Sequence, residues 1–361
     1  MKVKGGGKLV LLTCTAIAFE VTNALSSTTS DAANMAKARL QQSLSSLAKK
    51  MTISPEVVIP EPSDPTALLL QATEVTKMSN TLRSKAKANA AFISGSINSV
   101  KAFCAEQETA RGNFPSPLPV IYCTSSIAEE SKPDMTELAD AGISGILWTF
   151  LGGSAISSPD EIKNDNDILV SFQSAIASGV QLIPEVVLSS EAQWDEEMTK
   201  RLVDNISELC GSEPAAILLS LQQNEEEEEE DGICDFPKVP KNLPPILGSV
   251  RATAGGGRIG SAVNSCKEAG FNGVVLRCDC IPGYRMNPDL EFVGGFWGAA
   301  IGDLKSAKSK SFNFRSKVSL ERDIPMEWFN YQKNVMESGA LGGGDSGENP
   351  LDTENGDFKG F

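Results

Sequence analysis

The sequence predicts one (β/α)8 barrel (α/β class, single domain), preceded by an address segment and followed by a polar tail. Three observations predict it. From residue 55 onward, eight short β-branched runs alternate with longer amphipathic stretches, the pattern of a parallel sheet covered by helices. Several helical stretches end in a glycine just before the next strand, where left-handed backbone terminates a helix. The chain has 361 residues, enough for a barrel of ~250 residues once both ends are set aside.

The expected strands are Glu56–Glu61, Ala91–Ser94, Pro119–Cys123, Gly145–Leu151, Gln181–Leu188, Ala216–Leu221, Pro245–Val250 and Gly273–Cys278. Helical patterns lie between them at Thr66–Ala88, Ile168–Ala177, Glu196–Leu209 and Ile259–Ala269. Gly142, Gly179 and Gly270 are the helix-ending glycines. Eight strands suggest closure, with an open doubly wound sheet as the alternative. No Gly-x-Gly-x-x-Gly follows the first strand, which weakens a dinucleotide-binding reading.

The flanks divide the chain further. Lys2, Lys4 and Lys8 precede the apolar run Leu9–Ala18, which closes on the small residues Ala16-Ile17-Ala18. This is a signal peptide, residues 1–18, too short to span a bilayer. Residues 19–50 are rich in Ser, Thr and Ala and poor in acids, as in a transit-like segment. The barrel domain is placed at 51–338, interrupted by an acidic insertion at 222–235 that holds six consecutive glutamates, Glu225–Glu230. Self-repulsion makes such a run a solvated loop, with a calcium-attracting or partner-binding patch as the functional alternative. Met326–Glu337, with Trp328, Phe329 and Tyr331, reads as an extra amphipathic helix, and residues 339–361 as a disordered tail. The acidic loop and this helix are the candidate surfaces for a protein partner.

Composition excludes several function classes. Hydrophobic residues are 41% and charged residues 22%, ordinary for a globular protein. The net charge of −15 repels nucleic acid and anionic lipid. The mature chain is expected to contain no membrane span, since no further stretch approaches ~20 apolar residues. There is no histidine, so Ser-His-Asp, Cys-His and His-liganded zinc chemistry are excluded. Eight cysteines (Cys14, Cys104, Cys123, Cys210, Cys234, Cys266, Cys278 and Cys280) form no Cys-x-x-Cys pair and read as free thiols in a reducing compartment. No metal and no cofactor is implied.

A barrel carries its site at the carboxyl ends of its strands. The residues there are Glu61 and Ser63, Ser94, Cys123, Thr149, Glu185, Ser220, Ser249 and Arg277. Glu61 and Glu185 are the candidate acid and base, since two inward carboxylates do acid–base work when burial separates their titrations. Gly255, Gly256 and Gly257 open the helix after the seventh strand, and Gly294 and Gly295 precede the one after the eighth. Glycine-rich helix starts hold phosphate, and Arg251, Arg258 and Arg277 would add charge-assisted bonds. The alternative is that these glycines only make turns.

These residues resemble the indole-3-glycerol-phosphate synthase family over about residues 55–310. Val57-Val58-Ile59-Pro60-Glu61-Pro62-Ser63 is similar to its first strand, Ile-Ala-Glu-Ile-Lys. Pro119-Val120-Ile121-Tyr122-Cys123 is similar to its third, Pro-Val-Leu-Cys-Lys-Asp. Leu182-Ile183-Pro184-Glu185-Val186-Val187 is similar to its fifth, Val-Glu-Val-His. The resemblance implies two retained glutamates, Glu61 and Glu185, and the retained serine Ser249. It also implies degenerate positions: Ser63 and Cys123 replace lysines, Ser220 an asparagine and Arg277 a glycine. A thiol is a weak uncharged donor, and losing a positioned general acid costs ~10²–10⁴-fold.

Ala16-Ile17-Ala18-Phe19 resembles the junction of bipartite plastid presequences in algae, which implies the plastid stroma, with ordinary secretion as the alternative. The leading expectation is a non-catalytic or weakly catalytic barrel in a plastid that binds a phosphorylated small molecule or acts as a scaffold. The alternatives are an active synthase or related carboxy-lyase of tryptophan biosynthesis, and a structural subunit of a plastid assembly.

Overall fold

The computed structural model describes residues 36–45, 51–60, 68–124, 134–164, 173–222, 236–251, 259–281 and 289–306. The signal peptide, the glutamate run, Gly255–Gly257, the 326–337 helix and the tail lie outside the described residues.

Eight strands form a closed parallel barrel in chain order: β1 Thr52–Val58, β2 Ala91–Ser94, β3 Val120–Cys123, β4 Gly145–Thr149, β5 Gln181–Leu188, β6 Ile217–Leu221, β7 Ile246–Val250 and β8 Gly273–Leu276. Closure comes from β1 pairing with β8, where Thr52 aligns with Gly273 and Pro55 with Leu276. The open-sheet alternative is therefore discarded. The helices are α1 (residues 36–44), α2 Leu68–Ser84, α3 Ile97–Thr109, α4 Met135–Asp140, α5 (residues 173–177), α6 Glu196–Leu209, α7 Ile259–Glu268 and α8 Leu290–Ser306. Among the described residues, none is long and apolar enough to cross a membrane.

Local chemistry explains the helix ends. Asp195 caps α6 by accepting the Met198 N–H at 2.8 Å, and Glu196 and Glu197 favour the positive end of the helix dipole. Gly142, Gly179 and Gly270 adopt φ of 90°, 76° and 94°, the left-handed turn expected of them.

Two apolar layers hold the barrel. Outside, Val57, Ile93, Ile146, Leu182, Leu219 and Val274 pack beneath Met78, Phe103, Leu202, Val263 and Trp297 of the helices. Inside, Phe92, Ile121, Cys123, Leu147, Ile183, Leu218, Leu247 and Val275 fill the lumen. Each of these lies at an alternate strand position, as a pleated wall requires.

The structure corrects two expectations. The first strand runs Thr52–Val58 rather than Glu56–Glu61, so it ends before Glu61. Gly294 and Gly295 do not precede α8 but lie inside it. Gly294 faces Met78 and Thr81 of α2, where a Cβ would make ordinary contacts at 3.5 and 3.7 Å, so it offers no start-of-helix anion cradle. Helix α1 falls within residues 19–50, and its Leu40 and Leu44 are part of the luminal core.

Candidate functional site

Strand register brings the luminal polar groups together. Ser54 aligns with Val275, Val275 with Ser249, and Glu56 with Phe92. Val275 and Phe92 are luminal, and aligned residues of parallel neighbours share a face, so Ser54, Ser249 and Glu56 face inward as well. Glu185 aligns with Thr149 on one side and luminal Leu218 on the other. Ser94, Ser220 and Arg277 each lie two residues beyond a luminal position.

The centre of this site is a buried carboxylate–guanidinium–carboxylate triad. Arg277 Nη2 donates to Glu185 Oε1 at 3.0 Å, and its Nη1 lies 3.5 Å from Glu56 Oε1. Glu185 Oε1 also accepts the Ser220 hydroxyl at 2.7 Å, and its Oε2 accepts the Thr149 hydroxyl at 2.9 Å. Glu56 Oε2 accepts the Cys278 backbone N–H at 3.0 Å. Glu56, Glu185 and Arg277 are only 3%, 1% and 5% exposed, so one guanidinium rather than water offsets the two carboxylates, leaving a net charge of −1 in the triad. Burial alone would lower the Arg277 pKa, but Glu56 and then Glu185 outweigh it and hold the guanidinium charged above its ordinary value.

Cys123 stands beside the triad. Burial, reinforced by the Glu56 charge, pushes its thiol well above the ordinary range, and the nearby Arg277 does not offset this. The position where the resemblance implies a lysine therefore holds a neutral group. Burial similarly raises Cys104, Cys210 and Cys278 to about 12 from 9.0, Cys278 with added repulsion from Glu56. The sign follows directly. These thiols keep their protons in the folded chain, so their contribution to stability is complete below pH 9.0 and is lost as the pH rises from there toward about 12. Urea midpoints are expected to fall on that alkaline limb, and iodoacetamide is expected to leave Cys104, Cys123 and Cys210 unlabelled in the native protein at neutral pH. Peptide mapping by mass spectrometry reads the second outcome.

Eight buried side-chain polar atoms have no hydrogen-bond partner among the described residues, and four of them are luminal: the hydroxyls of Ser54, Ser94 and Ser249, and Arg277 Nη1. All four belong to the contiguous strands or strand ends of β7, β8, β1 and β2. The opposite wall is filled by Ile121, Leu147, Ile183 and Leu218. An unpaired buried hydroxyl costs ~1–3 kcal/mol, so these strands form the polar half of the lumen.

Of the residues singled out in the sequence, the structure gathers Cys123, Glu185, Ser220, Ser249 and Arg277 in one lumen. Glu61, Ser63 and Gly255–Gly257 lie outside the described residues, while Arg251 is exposed just past β7. Glu56 and Ser54 were missed by sequence reasoning. Their alternation within Thr52–Val58 was the available signal. Among the described residues no group of His, Cys, Asp or Glu forms a metal site. A recess of about 850 Å³ lies on the outer wall, between α6, residues 238–243 and the end of α7. None of the luminal polar groups lines it, and its Lys200, Lys238 and Lys241 are accompanied by Glu196 and Glu268.

Comparison with known proteins adds to the fold alone. No protein-family description matches the chain, and no curated protein matches it in sequence. Among solved structures, it is similar to a dihydrodipicolinate synthase from Agrobacterium tumefaciens, at 13% identity and a TM-score of 0.44, covering 81% of this chain and 88% of that one. It is also similar to an archaeal fructose 1,6-bisphosphate aldolase, at 12% identity and a TM-score of 0.38, covering 73% and 98%. A third is the triosephosphate isomerase of Bartonella henselae, at 11% identity and a TM-score of 0.31, covering 63% and 92%. The (β/α)8 assignment itself rests on the closed ring of eight parallel strands.

Proposed function

We propose that this chain is a non-catalytic barrel of indole-3-glycerol-phosphate synthase-like descent, working in a plastid, that holds a phosphorylated small molecule above its luminal triad. The observation that carries this reading is the binding of Arg277 between Glu56 and Glu185. A general base must meet its substrate, and both Glu185 carboxylate oxygens are already engaged, accepting from Thr149, Ser220 and Arg277. A cation that steadies a departing carboxylate must be free to meet it, and Arg277 is held by two carboxylates of the chain itself. Glu56 takes the first-strand carboxylate position in place of Glu61. The family's lysine, two residues further on, then falls at Val58 rather than Ser63, so the cation is missing in either register.

Binding is favoured by the unpaired Ser54, Ser94 and Ser249 hydroxyls, which offer hydrogen bonds to a hydroxylated ligand. The glycine-rich sequence after β7 and exposed Arg251 suit a phosphate at the rim. A thermal-shift screen of phosphorylated metabolites tests this. A ligand at ~100 times its Kd adds about 2.7 kcal/mol, a rise of several degrees, and Ser249→Ala is expected to shrink that rise. Carboxyphenylamino-deoxyribulose phosphate is expected to remain unconverted. Turnover at about 1 s⁻¹ or faster would overturn the non-catalytic reading in favour of a carboxylate-based lyase. A flat screen would overturn the binding reading.

A further inference from the structure

Composition places residues 19–50 in a removable targeting segment, but packing does not. Leu40 and Leu44 of α1 are 1% and 0% exposed and belong to the same luminal cluster as Ala90, Phe92, Ile121, Ala216 and Leu247. The contacts of α1 fall at the amino-terminal ends of the strands. The Thr52 hydroxyl, at the first residue of β1, donates to the Leu44 carbonyl at 2.9 Å. Leu40 Cδ2 lies 3.2 Å from where a Cβ on Gly145, the first residue of β4, would stand. The Lys37 ammonium donates to the Glu213 carbonyl, before β6. The helix thus closes the end of the lumen opposite the triad with two leucines that nothing else among the described residues replaces.

We propose that α1 is a plug retained in the mature protein, so that proteolytic processing ends upstream of residue 36 and not near residue 50. This rests on the presequence reading for the existence of a cut, and on packing alone for its limit. A protease that cut after residue 44 would remove two fully buried leucines and open an apolar cavity in the barrel floor, a change comparable with the whole stability of a marginal domain.

Two measurements test the proposal. Intact-mass analysis and amino-terminal peptide mapping of the protein isolated from its own cells are expected to give a terminus between residues 19 and 36. A terminus at Met1 would overturn the proposal through the presequence reading, and one beyond Leu44 through the plug, so the two failures are distinguishable. In parallel, chains beginning at residue 36 and at residue 51 are compared with one beginning at residue 19. The first is expected to unfold at the same temperature, and the second on the order of 10 °C lower or not to fold. Leu44→Ala in the longest chain serves as the milder variant and is expected to lower the unfolding temperature measurably. Unchanged unfolding of the chain from residue 51, or of Leu44→Ala, would overturn the plug.

Discussion

Arg277→Met is expected to destabilise the barrel by about 3–5 kcal/mol, which lowers the unfolding temperature by roughly 10 °C. The substitution removes the one cation among the described residues that pairs with these two buried carboxylates and leaves Glu56 and Glu185, at 3% and 1% exposure, with uncompensated charge. The loss is not the strength of the ion pairs in the intact protein, which desolvation largely cancels. It is the cost of stranded anions in a lumen lined by Phe92, Leu147 and Leu218. Two consequences separate this account from a simple packing defect. Glu56→Gln placed on top of Arg277→Met should narrow the gap between variant and parent. Glu185→Gln placed on top of Arg277→Met should restore part of the lost stability. Equilibrium urea unfolding of these proteins measures both, and a cost under ~1 kcal/mol for Arg277→Met would contradict the account.

The second large effect is expected far from the lumen. Glu106 of α3 accepts hydrogen bonds from Ser79 at 3.0 Å, Asn80 at 3.2 Å, Arg83 at 2.6 Å and Gln107 at 2.8 Å. Gln107 in turn accepts the Leu118 backbone N–H at 2.8 Å, and Arg83 donates to the Pro115 carbonyl at 3.1 Å. This network ties α2, α3 and the entry to β3 into one unit. Glu106→Ala leaves Arg83, 9% exposed, as an unpaired buried cation, and should also cost about 3–5 kcal/mol. Because the network does not touch the lumen, Glu106→Ala and Arg277→Met should be additive within ~0.5 kcal/mol. Strong non-additivity would mean that the two networks share a structural response absent from the folded geometry. Thermal or urea unfolding of the double variant reads this directly.

The ring of strands was legible in the sequence because β-branched runs and helix-ending glycines recur at barrel spacing. Ala91–Ser94 and Gln181–Leu188 were placed to the residue. The first strand was not, for a physical reason. Pro55 lies inside β1, where a residue without an N–H ordinarily marks the end of a strand, and the apolar run after it drew the register toward Glu61. That slip hid Glu56. The site was half legible: Cys123, Glu185, Ser220, Ser249 and Arg277 follow from the rule that strand ends face the site. That Arg277 would turn inward onto two glutamates is a property of closure, which puts β8 beside β1, and no local pattern carries it. Gly294 and Gly295 misled because a glycine pair at a helix start and one inside a helix look alike in one dimension. Composition likewise does not register that Leu40 and Leu44 meet the lumen.

The central claim is that Arg277 and the glutamates form one closed electrostatic unit instead of independent reactive groups. A double-mutant cycle on Arg277→Met and Glu185→Gln measures it most directly, with each free energy taken from urea unfolding at neutral pH. The account predicts a coupling of about 2 kcal/mol or more, the double variant being more stable than Arg277→Met alone. Additivity within ~0.5 kcal/mol would show that the guanidinium and the Glu185 carboxylate act separately, and would contradict it.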